Sequence, residues 1–152
     1  MMITLEAIKA EHTKVAEMIA AFEKQAATTE YRVAGTTITL AFGERYAGLI
    51  LGENGEPDYH VVLLPGEAED ITWEAAGAWA AERGGLLPSR REQSLLFANL
   101  KSEFQSAYYW SSEQHESNGG WAWYQNFRGG HQDDFATLIK LRARAVRRLV
   151  LQ

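Results

Sequence analysis

The chain has 152 residues, a length typical of a single domain that can bury a core without added cross-links. Its 15 basic and 20 acidic side chains give a formal net charge of -5. This charge argues against general binding to nucleic acids or anionic membranes, because both need a positive protein surface. Cysteine is absent, which excludes disulfides, thiolate nucleophiles and cysteine-ligated zinc.

The charged residues are unevenly distributed along the chain. Residues 41–82 contain nine acidic residues and a single base, Arg45, whereas residues 138–152 contain five bases and no acid. We expect the arginines of the second segment to pair with acids of the first across the fold.

The first 26 residues have the pattern of an amphipathic helix. Thr4 can cap its start. Seam residues recur at alternating spacings of three and four: Leu5, Ile8, His12, Val15, Ile19 and Phe22. This heptad seam either lies on its own domain or forms a stalk, in which residues 3–26 would hold a homo-oligomer. No apolar run approaches the length of a membrane span, so we expect a cytoplasmic protein without membrane insertion.

Residues 29–152 form a second predicted domain, which begins with strands. Strand-like segments at 31–40, 45–51 and 59–64 predict a three-stranded antiparallel meander, and Asn54-Gly55 marks a hairpin turn.

Two helices follow these strands in the prediction. Asp70 or Thr72 can cap a helix that ends at the glycine pair 84–85, and Ser89 with Glu92 forms a capping-box pair ahead of a second helix. Further strands are predicted at 107–111, 121–127 and 142–149. The order of helix, three strands, two helices and three strands indicates an α+β fold.

The most distinctive segment is rich in aromatic residues. Eight aromatic residues lie from Phe104 to Phe127, and all but Phe104 are on two predicted strands that flank a loop rich in Gly, Asn and Ser. Because aromatic side chains bury large areas with few rotatable bonds, such strands can form a rigid platform for loop residues that bind a ligand. The aromatic residues expected in the core are Trp73, Trp79, Trp110, Trp123 and Phe127.

The candidate ligand-binding surface consists of loops and turns around the last strands. Gly129-Gly130 gives the backbone freedom there, and a mixture of aromatic, Arg and carboxylate groups suits an adaptable contact surface. The predicted ligand-binding residues are His115, Glu116, Asn118, Tyr124, Arg128, His131, Gln132, Asp133, Asp134 and Phe135.

Catalytic and metal sites are not predicted. Asp133 and Asp134 carry groups that bind hard cations, but adjacent residues of a strand point to opposite faces. Ser111 and Ser112 lie near histidines in the sequence, but no Gly-x-Ser-x-Gly turn is present. We therefore expect no catalytic residue, no metal and no cofactor.

Several of these segments, in order, resemble a known family. Residues 72–89, with the run Gly84-Gly85-Leu86-Leu87-Pro88-Ser89, are similar to the helix-to-loop passage of C-type-lectin-like domains. Residues 109–113, 122–127 and 144–147 resemble a series found in bacterial and prophage proteins, among them the C-terminal domain of collagen-like adhesins. The resemblance covers about residues 44–149.

The resemblance implies a C-type-lectin-like fold with two central helices, whose loops near the C-terminal strands bind the ligand. A phage tropism determinant of similar fold is trimeric. The resemblance therefore implies that the N-terminal seam holds a trimer, which displays the ligand-binding loops. The calcium-binding motifs of these lectins are missing before Trp121, so calcium-dependent sugar binding is not expected. The related formylglycine-generating chemistry needs cysteines, which this chain lacks.

The leading hypothesis is a non-enzymatic recognition module of phage or prophage origin that binds a protein or cell-surface ligand, in a virion or in the cytoplasm. The main alternative is an intracellular prophage protein that binds and modulates a host protein. A third alternative, an enzyme that acts on a glycan or small molecule, depends on the aromatic residues alone.

Overall fold

The computed structural model describes residues 2–33 and 35–150, with the backbone alone at 25–28 and 32–33. The chain forms two compact units, Met1–Gly43 and Glu44–Gln152. The domain division into 1–28 and 29–152 stays a prediction. Within the described residues, no helix has both the length and the apolar character needed to cross a membrane.

The first unit contains a helix and a hairpin. Helix α1 spans Leu5–Ala27, and strands β1 (Thr28–Val33) and β2 (Thr36–Ala41) pair in antiparallel register. The cap predicted at Thr4 is confirmed, since its Oγ1 accepts a hydrogen bond from the Ala7 amide at 3.1 Å. The single strand predicted at 31–40 is wrong, and so is the three-stranded meander that it was expected to begin: Gly35, with a φ of 75°, lies in the turn between β1 and β2, which form a two-stranded sheet of their own.

The second unit contains the remaining elements. In chain order they are β3 (Arg45–Ile50), β4 (Tyr59–Leu63), β5 (Ala68–Ile71), α2 (Trp73–Glu82), α3 (Arg90–Leu100), β6 (Tyr108–Gln114), β7 (Trp121–Asn126), β8 (Gln132–Ala136), β9 (Leu141–Ala143) and β10 (Val146–Val150). They form two sheets: a three-stranded sheet of order β10-β4-β3 and a five-stranded sheet of order β5-β9-β6-β7-β8. Among the described strand pairs, β6 and β9 are parallel and the others are antiparallel. The predicted α+β class is confirmed.

The capping signals of the two helices have different outcomes. Ser89 Oγ accepts from the Glu92 amide at 3.2 Å, and Glu92 Oε1 accepts from the Ser89 amide at 2.7 Å, which confirms the capping box of α3. Thr72 occupies the N-cap position of α2, but its side chain makes no capping hydrogen bond. Asp70, the other predicted cap, lies instead in β5.

The strand predicted at 142–149 is two strands in two different sheets. Arg144 lies between β9 and β10 and donates hydrogen bonds to the carbonyls of Leu64 and Glu103. These bonds hold the chain where it passes from the five-stranded sheet to the three-stranded one.

Strands β5 and β8 were not predicted from the sequence. Strand β5 is short and has a register shift between Ala68 and Ile71.

The described residues of the second unit form two core clusters, on opposite faces of the five-stranded sheet. Trp110 packs with Ala76 and Ala80 of α2, whereas its neighbour Tyr109 packs with Leu96 of α3. Successive side chains of a strand point to opposite faces, so the two helices cover different sides of the sheet. Of the aromatic residues predicted to be in the core, Trp110 and Phe127 are buried. The other three are partly buried: Trp73, Trp79 and Trp123.

The expected pairing between the basic C-terminal segment and the acidic segment is confirmed. Arg142 contacts Glu67 and Glu69, and Arg147 contacts the buried Glu44 at 2.8 Å. These contacts connect β9 and β10 to segments far earlier in the chain.

Candidate functional site

The predicted ligand-binding residues lie on both faces of the β7–β8 pair. Trp123 is registered with Asp134, and Tyr124 with Asp133. Because neighbours on a strand alternate in direction, Trp123 and Asp134 face one side, and Tyr124 and Asp133 face the other. The structure therefore gives two candidate surfaces instead of one.

The first, which we call the Trp123 surface, comprises Arg90, His115, Glu116, Trp123 and Asp134. The guanidinium carbon of Arg90 lies 3.6 Å from the centroid of the Trp123 ring. The His115 ring stacks on the same indole with centroids 5.7 Å apart and planes inclined by 16°. Trp123 Nε1 donates to Glu116 Oε2 at 3.2 Å. The indole is thus held by three side chains and stays partly exposed.

His115 is itself held from two directions. Its Nε2 lies 3.2 Å from Asp134 Oδ2, and its Nδ1 accepts from the Ser117 amide at 3.1 Å. A ring nitrogen that accepts a hydrogen bond carries no proton, so the neutral ring has its proton on Nε2 and donates it to Asp134. This network fixes the orientation of the ring beside Trp123.

Arg90, the first residue of α3, is anchored by Gln132. Arg90 Nε donates to Gln132 Oε1 at 3.0 Å, and Gln132 Nε2 donates to the Arg90 carbonyl and to Gln125 Oε1. The Arg90 amide donates to Glu113 Oε2 at 2.7 Å. The guanidinium is therefore positioned over the indole without help from a ligand.

Glu116 completes this surface as a carboxylate. Hydrogen bonds from its own backbone amide and then from Trp123 lower the pKa of Glu116 below its ordinary value. It therefore stays negatively charged at neutral pH.

The second surface is a cavity of about 480 Å³, which we call the Tyr108 cavity. Its walls include Asp70, Tyr108, Asn126, Arg128, Lys140 and Arg142. Tyr108 stacks on Tyr124 with ring centroids 4.6 Å apart. Burial, followed by the nearby carboxylate of Asp133, raises the pKa of Tyr124. Of the predicted site residues, Arg128 lines this cavity and Tyr124 supports its aromatic wall.

The three remaining predicted residues make contacts that stabilise the local fold. Asn118 Oδ1 accepts from the Gly120 amide at 3.2 Å in the turn before β7. His131 is exposed and lies 3.5 Å from the Asn126 side chain, and Phe135 packs against Tyr124. The structure does not bring Asn118, His131 and Phe135 into either surface.

Seven residues named in these surfaces were missed by sequence reasoning: Arg90 and Trp123 in the Trp123 surface, and Asp70, Tyr108, Asn126, Lys140 and Arg142 in the Tyr108 cavity. Trp123 was predicted to be a core residue. Because neighbouring side chains of a strand point to opposite faces of the sheet, Trp123 and Tyr124 of β7 could not both face the same side. Arg90 and Lys140 had no local signal, because their partners in the surfaces are far away in the sequence.

Within residues 2–33 and 35–150, no three His, Asp or Glu side chains are grouped so that they could hold a metal ion.

The sequence matches no protein-family model and no curated protein.

Proposed function

We propose that residues 44–152 form a non-enzymatic recognition module with a C-type-lectin-like fold, which binds a protein or cell-surface ligand through the Trp123 surface. The observation that carries this proposal is the Arg90 guanidinium 3.6 Å from the Trp123 ring centroid, in a cluster that is already held in place. Trp and Arg are the residue types most enriched at the energetic centres of protein interfaces. A preorganised cluster also loses little conformational entropy when it binds.

The charge of the Trp123 surface indicates what its ligand presents. Three carboxylates contact residues of this surface: Glu113 accepts from the Arg90 backbone amide, Glu116 from the Trp123 indole, and Asp134 lies 3.2 Å from His115 Nε2. A ligand with a Lys or Arg side chain next to an apolar group would complement this arrangement. The proposed phage or prophage origin is supported by the sequence resemblance over residues 44–149.

We further propose that α1 holds the protein in a homo-oligomer, with a trimer favoured. All side chains of residues 2–24 are exposed, including the whole heptad seam, whose Phe22 is 69% exposed. A seam that alternates by three and four residues matches the packing of helices against copies of themselves. Several Trp123 surfaces in one particle would bind a multivalent ligand with greater avidity.

The test is capture of ligand from separated envelope and cytosolic fractions of bacterial cells by the full-length protein. We expect Trp123→Ala and Arg90→Ala to lose the ligand that the wild type retains, and Arg91→Ala, a neighbouring exposed arginine, to retain it. Thermal unfolding of each variant separates loss of binding from loss of fold. Unchanged capture by both folded site variants would overturn the proposal.

The same experiment distinguishes the two recognition hypotheses. A ligand found in the envelope fraction supports recognition of the cell surface. A ligand found only in the cytosolic fraction supports the alternative, an intracellular protein that binds and modulates a host protein.

A further inference from the structure

The Tyr108 cavity lies on the face of β7 opposite the Trp123 surface, so it is independent of the function proposed above. Four neighbouring strands of the five-stranded sheet contribute to it, in the order β5, β9, β6, β7. Its volume of about 480 Å³ lies within the range of small-molecule clefts.

Two cations of this cavity have no internal counter-ion. Within the described part of the chain, neither Lys140 nor Arg128 forms an ion pair. Arg142, in contrast, is occupied by Glu67 and Glu69. Lys140 and Arg128 therefore leave a positive charge at the cavity that an incoming anion can neutralise.

The two cations flank an aromatic wall. Lys140 immediately precedes β9 and Arg128 follows β7, while Tyr108 begins β6, which lies between those strands. Adjacent strands are about 4.8 Å apart, so the backbones at Lys140 and Arg128 lie on the two sides of β6, and all three residues line the cavity. Tyr108 is 39% exposed, and its stacking on Tyr124 leaves part of its ring open to the cavity.

The β5 end of the cavity carries a negative charge. Asp70 on β5 lines the cavity, is exposed, and has a φ of 47°, a left-handed conformation that is uncommon for a residue other than glycine. A ligand of dense negative charge would be repelled by its carboxylate. A ligand with a hydroxyl or ammonium group on that side would instead donate a hydrogen bond to Asp70.

We infer that the Tyr108 cavity binds a small carboxylic acid that also carries a hydroxyl or ammonium group. The planar guanidinium of Arg128 pairs with one carboxylate, and Lys140 provides a second positive contact. The body of the ligand lies against the Tyr108 ring, and its donor group faces Asp70.

Isothermal titration of the full-length protein at constant ionic strength tests this inference, with L-malate, L-aspartate, succinate and inorganic phosphate as probes. We expect saturable binding of malate or aspartate at one molecule per chain, weaker binding of succinate, which lacks the donor, and weaker binding of phosphate. Arg128→Gln and Lys140→Gln should each reduce the affinity about tenfold, which is the effect of one lost charged hydrogen bond.

The matched controls are Arg91→Gln and Lys101→Gln, which remove the same charges from exposed positions outside the cavity. These variants should bind as the wild type does. Equal weakening by the controls, no saturable binding of malate or aspartate up to millimolar concentrations, or tightest binding of phosphate would each overturn the assignment.

Discussion

Arg90 on α3 and Trp123 on β7 form a cation–π contact of 3.6 Å that connects a helix to the sheet on which it packs. The contact is reinforced by the hydrogen bonds between Arg90 and Gln132 of β8. The same residues that offer a binding surface thus also stabilise the packing of α3.

Replacing Arg90 by Ala should therefore reduce stability as well as binding. The cation–π contact and the side-chain hydrogen bond to Gln132 together contribute about 1–3 kcal/mol. We expect urea unfolding to show a loss of that size. Arg91→Ala should cost less than about 1 kcal/mol, because Arg91 is half exposed and its ion pair with Glu53 is on the surface. Equal losses for the two variants would contradict a role of the Trp123 contact in stability.

A second prediction concerns the buried ion pair of Glu92 and Arg148. Glu92 is fully buried and accepts two hydrogen bonds from Arg148, at 2.7 and 2.8 Å, and one from the Tyr59 hydroxyl. Arg148→Met would leave this carboxylate buried without its cation, at a cost of about 3 kcal/mol or more. The matched control is Arg45→Met, which removes an exposed pair with Glu103 and should cost less than about 1 kcal/mol. Chemical denaturation of both variants measures the difference.

The same carboxylate predicts how stability depends on pH. Burial alone would raise the pKa of Glu92, but hydrogen bonds from Arg148, the Ser89 amide and Tyr59 outweigh it and lower the pKa below the ordinary 4.5. A lowered pKa in the folded state means that the contribution of Glu92 is complete above about pH 4.5 and is lost as the pH falls through the folded pKa.

Glu92→Gln provides the comparison for this pH effect. Unfolding free energies between pH 6 and pH 3 should fall more steeply for the wild type than for Glu92→Gln, which has no carboxylate to protonate at this position. Parallel pH profiles would show that Glu92 does not contribute to acid destabilisation.

A fourth prediction concerns the glycine pair in the turn before β8. Gly130 has a φ of 90°, and a Cβ there would lie 2.7 Å from Phe97 Cε1. Gly130→Ala should therefore destabilise the protein by about 2 kcal/mol or more. Gly129→Ala is the matched control, since its Cβ would make ordinary contacts no closer than 3.6 Å and should change stability by less than about 0.5 kcal/mol. Thermal unfolding of the two variants decides whether the left-handed backbone and the close approach of Phe97 together require this glycine.

The elements predicted correctly are those with signals inside a single segment. The capping box of Ser89 and Glu92 and the cap at Thr4 each place a helix start within a few residues. The prediction of a single strand over 31–40 was wrong because the strand-like alternation of side chains continues on both sides of the tight turn between β1 and β2. The interruption between β9 and β10 at Arg144 could not be predicted, because Arg144 is held there by hydrogen bonds to two carbonyls that are far away in the chain.

For the candidate surfaces too, prediction from the sequence succeeded only for residues that lie close together in the chain. Sequence reasoning found His115, Glu116 and Asp134, which lie near the aromatic block in the chain, but not Arg90, which arrives from α3. It also grouped Tyr124 and Asp133 with them, although strand pairing turns those two side chains to the other face. Which residues share a face depends on register and helix packing, and no single segment contains that information.

The final prediction addresses the exposed seam of α1. If this seam joins copies of the chain, Ile19→Glu would place a charge in the helix interface and convert an oligomer into monomers. Ala20→Glu adds the same charge one position away, on the outer face of the heptad, and should leave the oligomer intact. Light scattering gives the solution mass of the wild type and of both variants. A monomeric wild type, or an oligomer that survives Ile19→Glu, would contradict self-association through this seam and favour docking of α1 on its own chain.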